Sequence, residues 1–281
     1  MTSLFRGDER KLHRPDAEFW LHNHIPPSPL NPRLRFLRWM HTDSEENFRL
    51  RGSGTFTEED VGYSFNELGY RCDEILTSSE ANNVVFLGDS HTFGVGLPVE
   101  VLWTSRVARK LEERWDVPIR QVNLGWGGTG SDFTSMLVHQ TVELLKPRLV
   151  CILWSFVCRL SWFPEANRQV FFLPRRLPFQ SIDDHNAYLH LATDSHGFYN
   201  YVRNFHFVND RLRRLGIPFV WGHLEQFSHV TLSKFLPLDG FAGCWRAIDL
   251  ARDNLHGGPD SHRVFADLIY ERIAQVENNR T

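Results

Sequence analysis

Val84-Val85-Phe86-Leu87-Gly88-Asp89-Ser90-His91-Thr92 is the stretch on which the reading of this chain turns. Four apolar residues, two of them β-branched, run into Gly-Asp-Ser, and a helical pattern begins a few residues later. Such a run, closed by a turn signal, predicts a strand buried on both faces, as in parallel sheets. Open α/β sheets bind their ligands at the carboxyl ends of their strands. Gly88 permits a sharp turn there and sets Ser90 at the mouth of the following helix, where backbone N–H groups favour negative charge. A serine in that place needs a base before it becomes a nucleophile. Asp253-Asn254-Leu255-His256, a carboxylate and an imidazole in a Gly/Pro-rich loop near the other end of the chain, can supply one.

Outward from that strand, helical and strand patterns alternate. Val99, Trp103, Val107 and Leu111 predict a helix ending near Trp115, and Ile119-Arg-Gln-Val-Asn-Leu124 a second strand. Phe133, Met136/Leu137, Thr141 and Leu144/Leu145 mark a helix stopped before Pro147, followed by the strand Leu149-Val-Cys-Ile-Leu-Trp154. Residues 160–195 lose periodicity and read as a long Phe-, Pro- and Arg-rich loop, the kind of insert that caps or walls a site. Phe198 to Leu215 is strongly amphipathic, Gly216 caps it, and Ile217-Pro-Phe-Val-Trp221 reads as a fourth strand. Residues 223–250 are irregular, with room for a short fifth strand or helix that the pattern does not place, and Val264/Phe265, Leu268/Ile269 and Ile273 mark the last helix. Parallel strands joined by right-handed helical crossovers make a three-layer α/β/α sandwich.

Ahead of this core, residues 1–50 carry Pro15, Pro26, Pro27, Pro29 and Pro32 and the basic-aromatic run Arg33-Leu-Arg-Phe-Leu-Arg-Trp39. They read as an extension strapped onto the domain by its aromatics, in preference to an arm for substrate or partner. Gly54-Thr-Phe-Thr57 and Val61-Gly-Tyr-Ser-Phe65 suggest a small hairpin or edge strands. The expected organisation is an extension over 1–50 and one α/β domain over 51–281, with its core at 83–277 and an insert around 160–195.

Taken together, the motifs resemble the SGNH (GDSL-type) hydrolase family. Gly88-Asp89-Ser90 matches its first block, Asn123-Leu124-Gly125-Trp126-Gly127-Gly128 its second, and Asp253-x-x-His256 its last, in the family's order. Tyr63-Ser-Phe-Asn-Glu-Leu-Gly-Tyr-Arg71 is similar to a leader found before the first block in some microbial and viral members. The resemblance implies five strands in flavodoxin-like order, with Ser90 as nucleophile, His256 as its base and Asp253 holding the imidazole. It also implies an oxyanion hole built from the N–H groups of Ser90 and Gly128 and a third donor. That donor is normally the asparagine of a Gly-x-Asn-Asp block after the third strand, which here reads Trp154-Ser155-Phe156-Val157-Cys158-Arg159. Arg159 is the nearest strong donor, able to hold an oxyanion or a substrate carboxylate, although a surface arginine would look the same. The implied reaction is hydrolysis of an O-acyl ester carried by a small molecule or a glycan. Two alternatives stay open: acyl transfer, because Gly-Asp-Ser-His also opens SGNH domains that move acetyl groups onto glycans, and a non-catalytic SGNH-fold binding module.

Composition narrows the partners. The chain has 281 residues, 42% hydrophobic and 23% charged, with a net charge of −3, so nothing draws it generally to nucleic acid. No stretch reads as a signal peptide or a membrane span, and the four cysteines lack CxxC spacing, so a cytoplasmic, thiol-reduced protein is expected. No metal is expected: His22-x-His24 lacks a third ligand, and His185, His190, His196 and His206 have no cysteine or carboxylate in register. No cofactor is expected either. Gly125-Trp-Gly127-Gly-Thr-Gly130 formally fits G-x-G-x-x-G, but the next strand closes on Leu153-Trp154-Ser155 where the fingerprint needs an acid.

Overall fold

The computed structural model describes residues 35–51, 56–77, 82–165, 168–172 and 182–279, with Ile25, Ser28 and Pro174 besides; His22-x-His24 lies outside them. The chain enters through β1 (Phe36–Leu37), followed by the short helix α1 (Glu45–Arg51), and β1 pairs antiparallel with β2 (Tyr63–Ser64). The strand expected around Val61–Phe65 therefore finds its partner in Phe36–Leu37, within the described part of the N-terminal extension.

The apolar run forms β3 (Asn83–Gly88), and Ser90 opens the short helix α2 (Ser90–Phe93). Then follow α3 (Trp103–Trp115), β4 (Arg120–Asn123), α4 (Ser131–Leu145) and β5 (Leu149–Trp154). The insert holds β6 (Leu160–Glu165), β7 (Arg168–Phe172) and α5 (Ile182–Leu191), and after it come α6 (Asp194–Arg214) and β8 (Phe219–His223). The chain closes with α7 (His229–Ser233), β9 (Phe241–Cys244) and α8 (Pro259–Asn278).

Five strands make the central sheet in the order β4-β3-β5-β8-β9, every pairing parallel. Side chains alternate across a strand, so the one run in β3 serves both helical layers. Val84 and Phe86 pack with Trp103, Val107 and Leu111 of α3 and Phe265 and Ile269 of α8. Val85 and Leu87 face Phe133 and Leu137 of α4 and Tyr201 and Phe205 of α6. Each such burial contributes about 1.5–3 kcal/mol, which is why a polar residue anywhere in Val84–Leu87 would unseat a layer. This is the expected three-layer sandwich in flavodoxin-like order. The order reverses between β3 and β5, and ligands of doubly wound sheets bind in the crevice at that switch point. Ser90 stands there.

One segment differs from the sequence reading. The stretch from 160 on is not a bare loop: β6 and β7 form an antiparallel hairpin separate from the main sheet, followed by α5. Among the described residues its strands pair with each other and with no strand of the main sheet, and Pro164 and Arg168 interrupt any apolar run that would announce them. The stretch 223–250, where the pattern fixes no place for a short strand or helix, holds both α7 and the edge strand β9. Among the described residues no helix is long and apolar enough to cross a membrane.

Candidate active site

The turn out of β3 leaves no room for a side chain. Gly88 has φ +152, and a Cβ on it would meet Thr92 Oγ1 at 2.2 Å and the Leu153 carbonyl oxygen at 2.7 Å. Asp89 then caps α2, its Oδ1 accepting from the His91 N–H at 2.9 Å. Gly94, left-handed at φ 84, ends the helix after one turn. The loop after β4 is fastened beside it: Asn123 Nδ2 donates to the Thr92 carbonyl at 2.9 Å and its Oδ1 accepts from Gly125 N at 3.0 Å. Gly125 sits hard against Thr92 and Phe93, which a side chain would forbid. That contact, and the approach of Gly130 to the Arg159 carbonyl, give the glycine-rich stretch a packing role. Neither the Ser90 nor the Gly128 N–H has an acceptor among the described residues.

The leader buttresses the next turn. Arg71, buried, donates to the carbonyls of Gly94 and Leu97, each at 2.6 Å, and of Gly62 at 3.0 Å. Without it the Leu97 carbonyl would lack a partner among the described residues. Asn66 Oδ1 folds the leader on itself, accepting from Leu68 N and Tyr70 N at 3.0 and 2.9 Å.

The last motif docks onto that same turn. Arg252 N donates to the Gly96 carbonyl at 3.0 Å, and Gly96 has no Cβ to collide with the Arg252 and Asp253 backbone. Asp253, 1% exposed, receives four hydrogen bonds. Its Oδ1 takes Leu255 N (3.1 Å) and His256 N (3.0 Å), and its Oδ2 takes His256 Nδ1 and Thr42 Oγ1, both at 2.6 Å. Burial pushes this carboxyl up, but the bonds from His256 and Thr42 prevail and bring its pKa down to about 2. The His256 imidazole lies 5.0 Å, ring to ring, from that of His91, the neighbour of Ser90. No hydrogen bond joins Ser90 Oγ to His256 among the described residues; a nucleophile and its base commonly stand looser than bonding distance before substrate arrives.

Arg159, expected near the site, folds against Asp89. Its Nη1 donates to Asp89 Oδ2 and, at 3.0 Å, to Ser155 Oγ, while Nε and Nη2 make no hydrogen bond among the described residues. Ser155 also donates to Asp89 Oδ2, at 3.1 Å. Burial pushes the Asp89 carboxyl up, and the Arg159 and His91 charges overcome this and hold it below the usual carboxylate range.

Sequence reasoning passed over three residues. His91 has Nδ1 on Asp89 Oδ1 at 3.2 Å and its ring edge-on to Trp245, and burial lowers its pKa against the pull of Asp89. Thr42 reaches Asp253 from 211 positions away. His41, at φ 57, sets its ring against Phe93 and Trp126, with Nε2 3.0 Å from where a Gly127 Cβ would stand. The motif frames His91, and its position beside Ser90 was the one available signal; nothing in the sequence marks His41 or Thr42. His262 is a packing residue, its Nδ1 accepting from Trp103 N at 2.9 Å. Among the described residues no three His, Cys, Asp or Glu side chains are grouped as metal ligands.

No family model matches the sequence, and no curated protein matches it. Solved structures do. The psychrotrophic esterase EstA from Pseudoalteromonas sp. is 13% identical with a TM-score of 0.44, over 70% of this chain and 99% of that one. The acetyl xylan esterase AlAXEase is 15% identical with a TM-score of 0.43, over 68% and 99%. A two-domain esterase active on acetylated mannans is 14% identical with a TM-score of 0.47, over 70% of this chain and 50% of its own. At these scores the likeness assigns no role to any residue.

Proposed function

We propose that this chain is a serine esterase of SGNH type, cleaving an O-acyl ester of a small molecule or glycan through Ser90, His256 and Asp253. The observation that carries the reading is the state of Asp253. A carboxylate accepting four hydrogen bonds has no proton to give, so His256 Nδ1 carries the shared hydrogen, and in the neutral imidazole Nε2 is the nitrogen with the lone pair. That lone pair takes the Ser90 proton as Oγ attacks the ester carbonyl, and returns it to the leaving alcohol. Water then attacks the acyl-enzyme with the same imidazole as base, releasing the acid and restoring Ser90. The tetrahedral oxyanion is held by the N–H groups of Ser90 and Gly128, both without another acceptor, and by Arg159 in place of the absent asparagine.

Fluorophosphonate labelling alongside turnover of a short aryl ester tests this. The wild type labels and turns over, and Ser90→Ala does neither while keeping its circular dichroism spectrum. Equal turnover in Ser90→Ala removes the assignment. A wild type that neither labels nor turns over leaves the non-catalytic module, to which the absent asparagine points.

A further inference from the structure

The segment Met40–Asp43 is a tight turn closed by two backbone hydrogen bonds, Met40 N to Asp43 O at 2.8 Å and Asp43 N to Met40 O at 3.1 Å. Its far side is zipped to the last motif, residue against residue. Asp43 pairs with Arg252, both fully buried, through Nε to Oδ1 (2.9 Å) and Nη2 to Oδ2 (2.7 Å). Arg252 spends its remaining donors on the carbonyls of Glu58, Val61 and Arg38 at 2.7, 3.1 and 2.8 Å, and its guanidinium lies 4.0 Å above the Trp39 ring. Tyr63 joins in, donating to Asp43 and accepting from Gly96 N at 2.8 Å. One step along each strand of this zipper, Thr42 meets Asp253.

We infer that Thr42 is a positioning residue of the proposed esterase, a fourth group behind Ser90, His256 and Asp253 that fixes the carboxylate on which His256 turns. The inference rests on the esterase reading and deepens it. Thr42 Oγ1 donates to the same oxygen that holds His256 Nδ1, at the same 2.6 Å. An ionised carboxylate offers about four lone-pair positions, and here all are taken, so the group has one orientation and stays an acceptor. Removing the hydroxyl leaves a buried lone pair empty and lets the carboxylate swing off the imidazole. A neutral donor suits the task, because it fills that lone pair without cancelling the charge that steadies the imidazolium. The Asp43–Arg252 pair makes the contact possible across the length of the chain. A segment that reads as packing thereby reaches the chemistry.

The test compares Thr42→Val, which keeps the shape and loses the hydroxyl, with Thr42→Ser, which keeps the hydroxyl. Expected is a fall in kcat of about tenfold or more in Thr42→Val with KM unchanged, as for a lost hydrogen bond to a charged group, and near wild-type kcat in Thr42→Ser. In an Asp253→Asn background Thr42→Val should add little, because the two act as one unit; an undiminished loss there would mark a merely structural role and overturn the inference. A second readout does not need turnover: the proton resonance of His256 Nδ1–H should move in Thr42→Val and stay in Thr42→Ser. Wild type lacking turnover and labelling sinks the esterase reading and with it the catalytic consequence of Thr42, while the resonance still reads whether Thr42 fixes the Asp253–His256 pair. An unmoved resonance in Thr42→Val sinks the inference.

Discussion

Asp89 and Asp253 are both buried carboxylates with an imidazole on one oxygen, and the company each keeps is different. Asp253 has only neutral donors beside His256: one hydroxyl and two backbone N–H groups. Asp89 has the guanidinium of Arg159 on its other oxygen, with Ser155. A full positive charge on a carboxylate cancels the field its imidazole feels, while neutral donors solvate it and leave its charge in place. The contacts follow suit, 2.6 Å for His256 on Asp253 and 3.2 Å for His91 on Asp89. Aspartate next to histidine does not make a base; an aspartate with charge to spare does. By this measure His256 is the proposed base, and His91 is a buried neighbour whose pKa burial lowers.

The largest effects separate the two pairs outright. On the proposed reading, Asp253→Asn lowers kcat by about 10⁴-fold, because the imidazole tautomer is no longer enforced, and His256→Ala does at least as much. His91→Asn lowers kcat far less than either, by at most the roughly 10²-fold that a small misplacement near a site can cost. Steady-state kinetics on one aryl ester checks all three. A His91 variant as inactive as the His256 variant would break the distinction.

Arg159 tests the cause of the difference. If it also supplies the third oxyanion donor, Arg159→Gln lowers kcat by about 10²–10³-fold with KM little changed. A rise in KM at constant kcat would instead assign it to an acidic group on the substrate. In either case its removal takes the counter-charge off Asp89, and the His91 imidazole should bind its proton more tightly, seen as a titration midpoint moved to higher pH by NMR. An unmoved His91 titration would mean that Arg159 does not set the character of that pair.

The central sheet was legible because its strands announce themselves. Leu149–Trp154 is apolar throughout, buried throughout, and lies where the pattern puts it. The turn at Gly88-Asp89-Ser90 was legible because only glycine fits its backbone. The hairpin β6–β7 was hidden, since its strands pair with each other outside the main sheet and Pro164 breaks their apolar run. The pairing of Asp89 with Arg159 spans 70 positions, and that of Thr42 with Asp253 spans 211. Short motifs register neighbours in sequence, and a contact that depends on a buried arginine zipper such as Arg252–Asp43 has no local signature. Arg159 was picked out for its reach and charge; what it reaches first, Asp89, is a matter of the fold.

The smallest effect is one of stability and isolates Asp253. Burial alone would raise its carboxyl pKa, yet its hydrogen bonds take it from 3.8 to about 2 in the folded chain. A group with a depressed folded pKa stabilises the fold above its unfolded pKa and loses that contribution as pH falls through the folded one. The window therefore runs from about pH 4 down to about pH 2, and the contribution is about 2 kcal/mol. Urea unfolding at pH 5 and at pH 2 reads it. The wild type should lose about 2 kcal/mol more than Asp253→Asn over that interval, the subtraction removing every other carboxylate, Asp89 included. Equal losses in the two proteins would mean that the four hydrogen bonds do not hold Asp253 ionised, and the contrast with Asp89 would lose its basis.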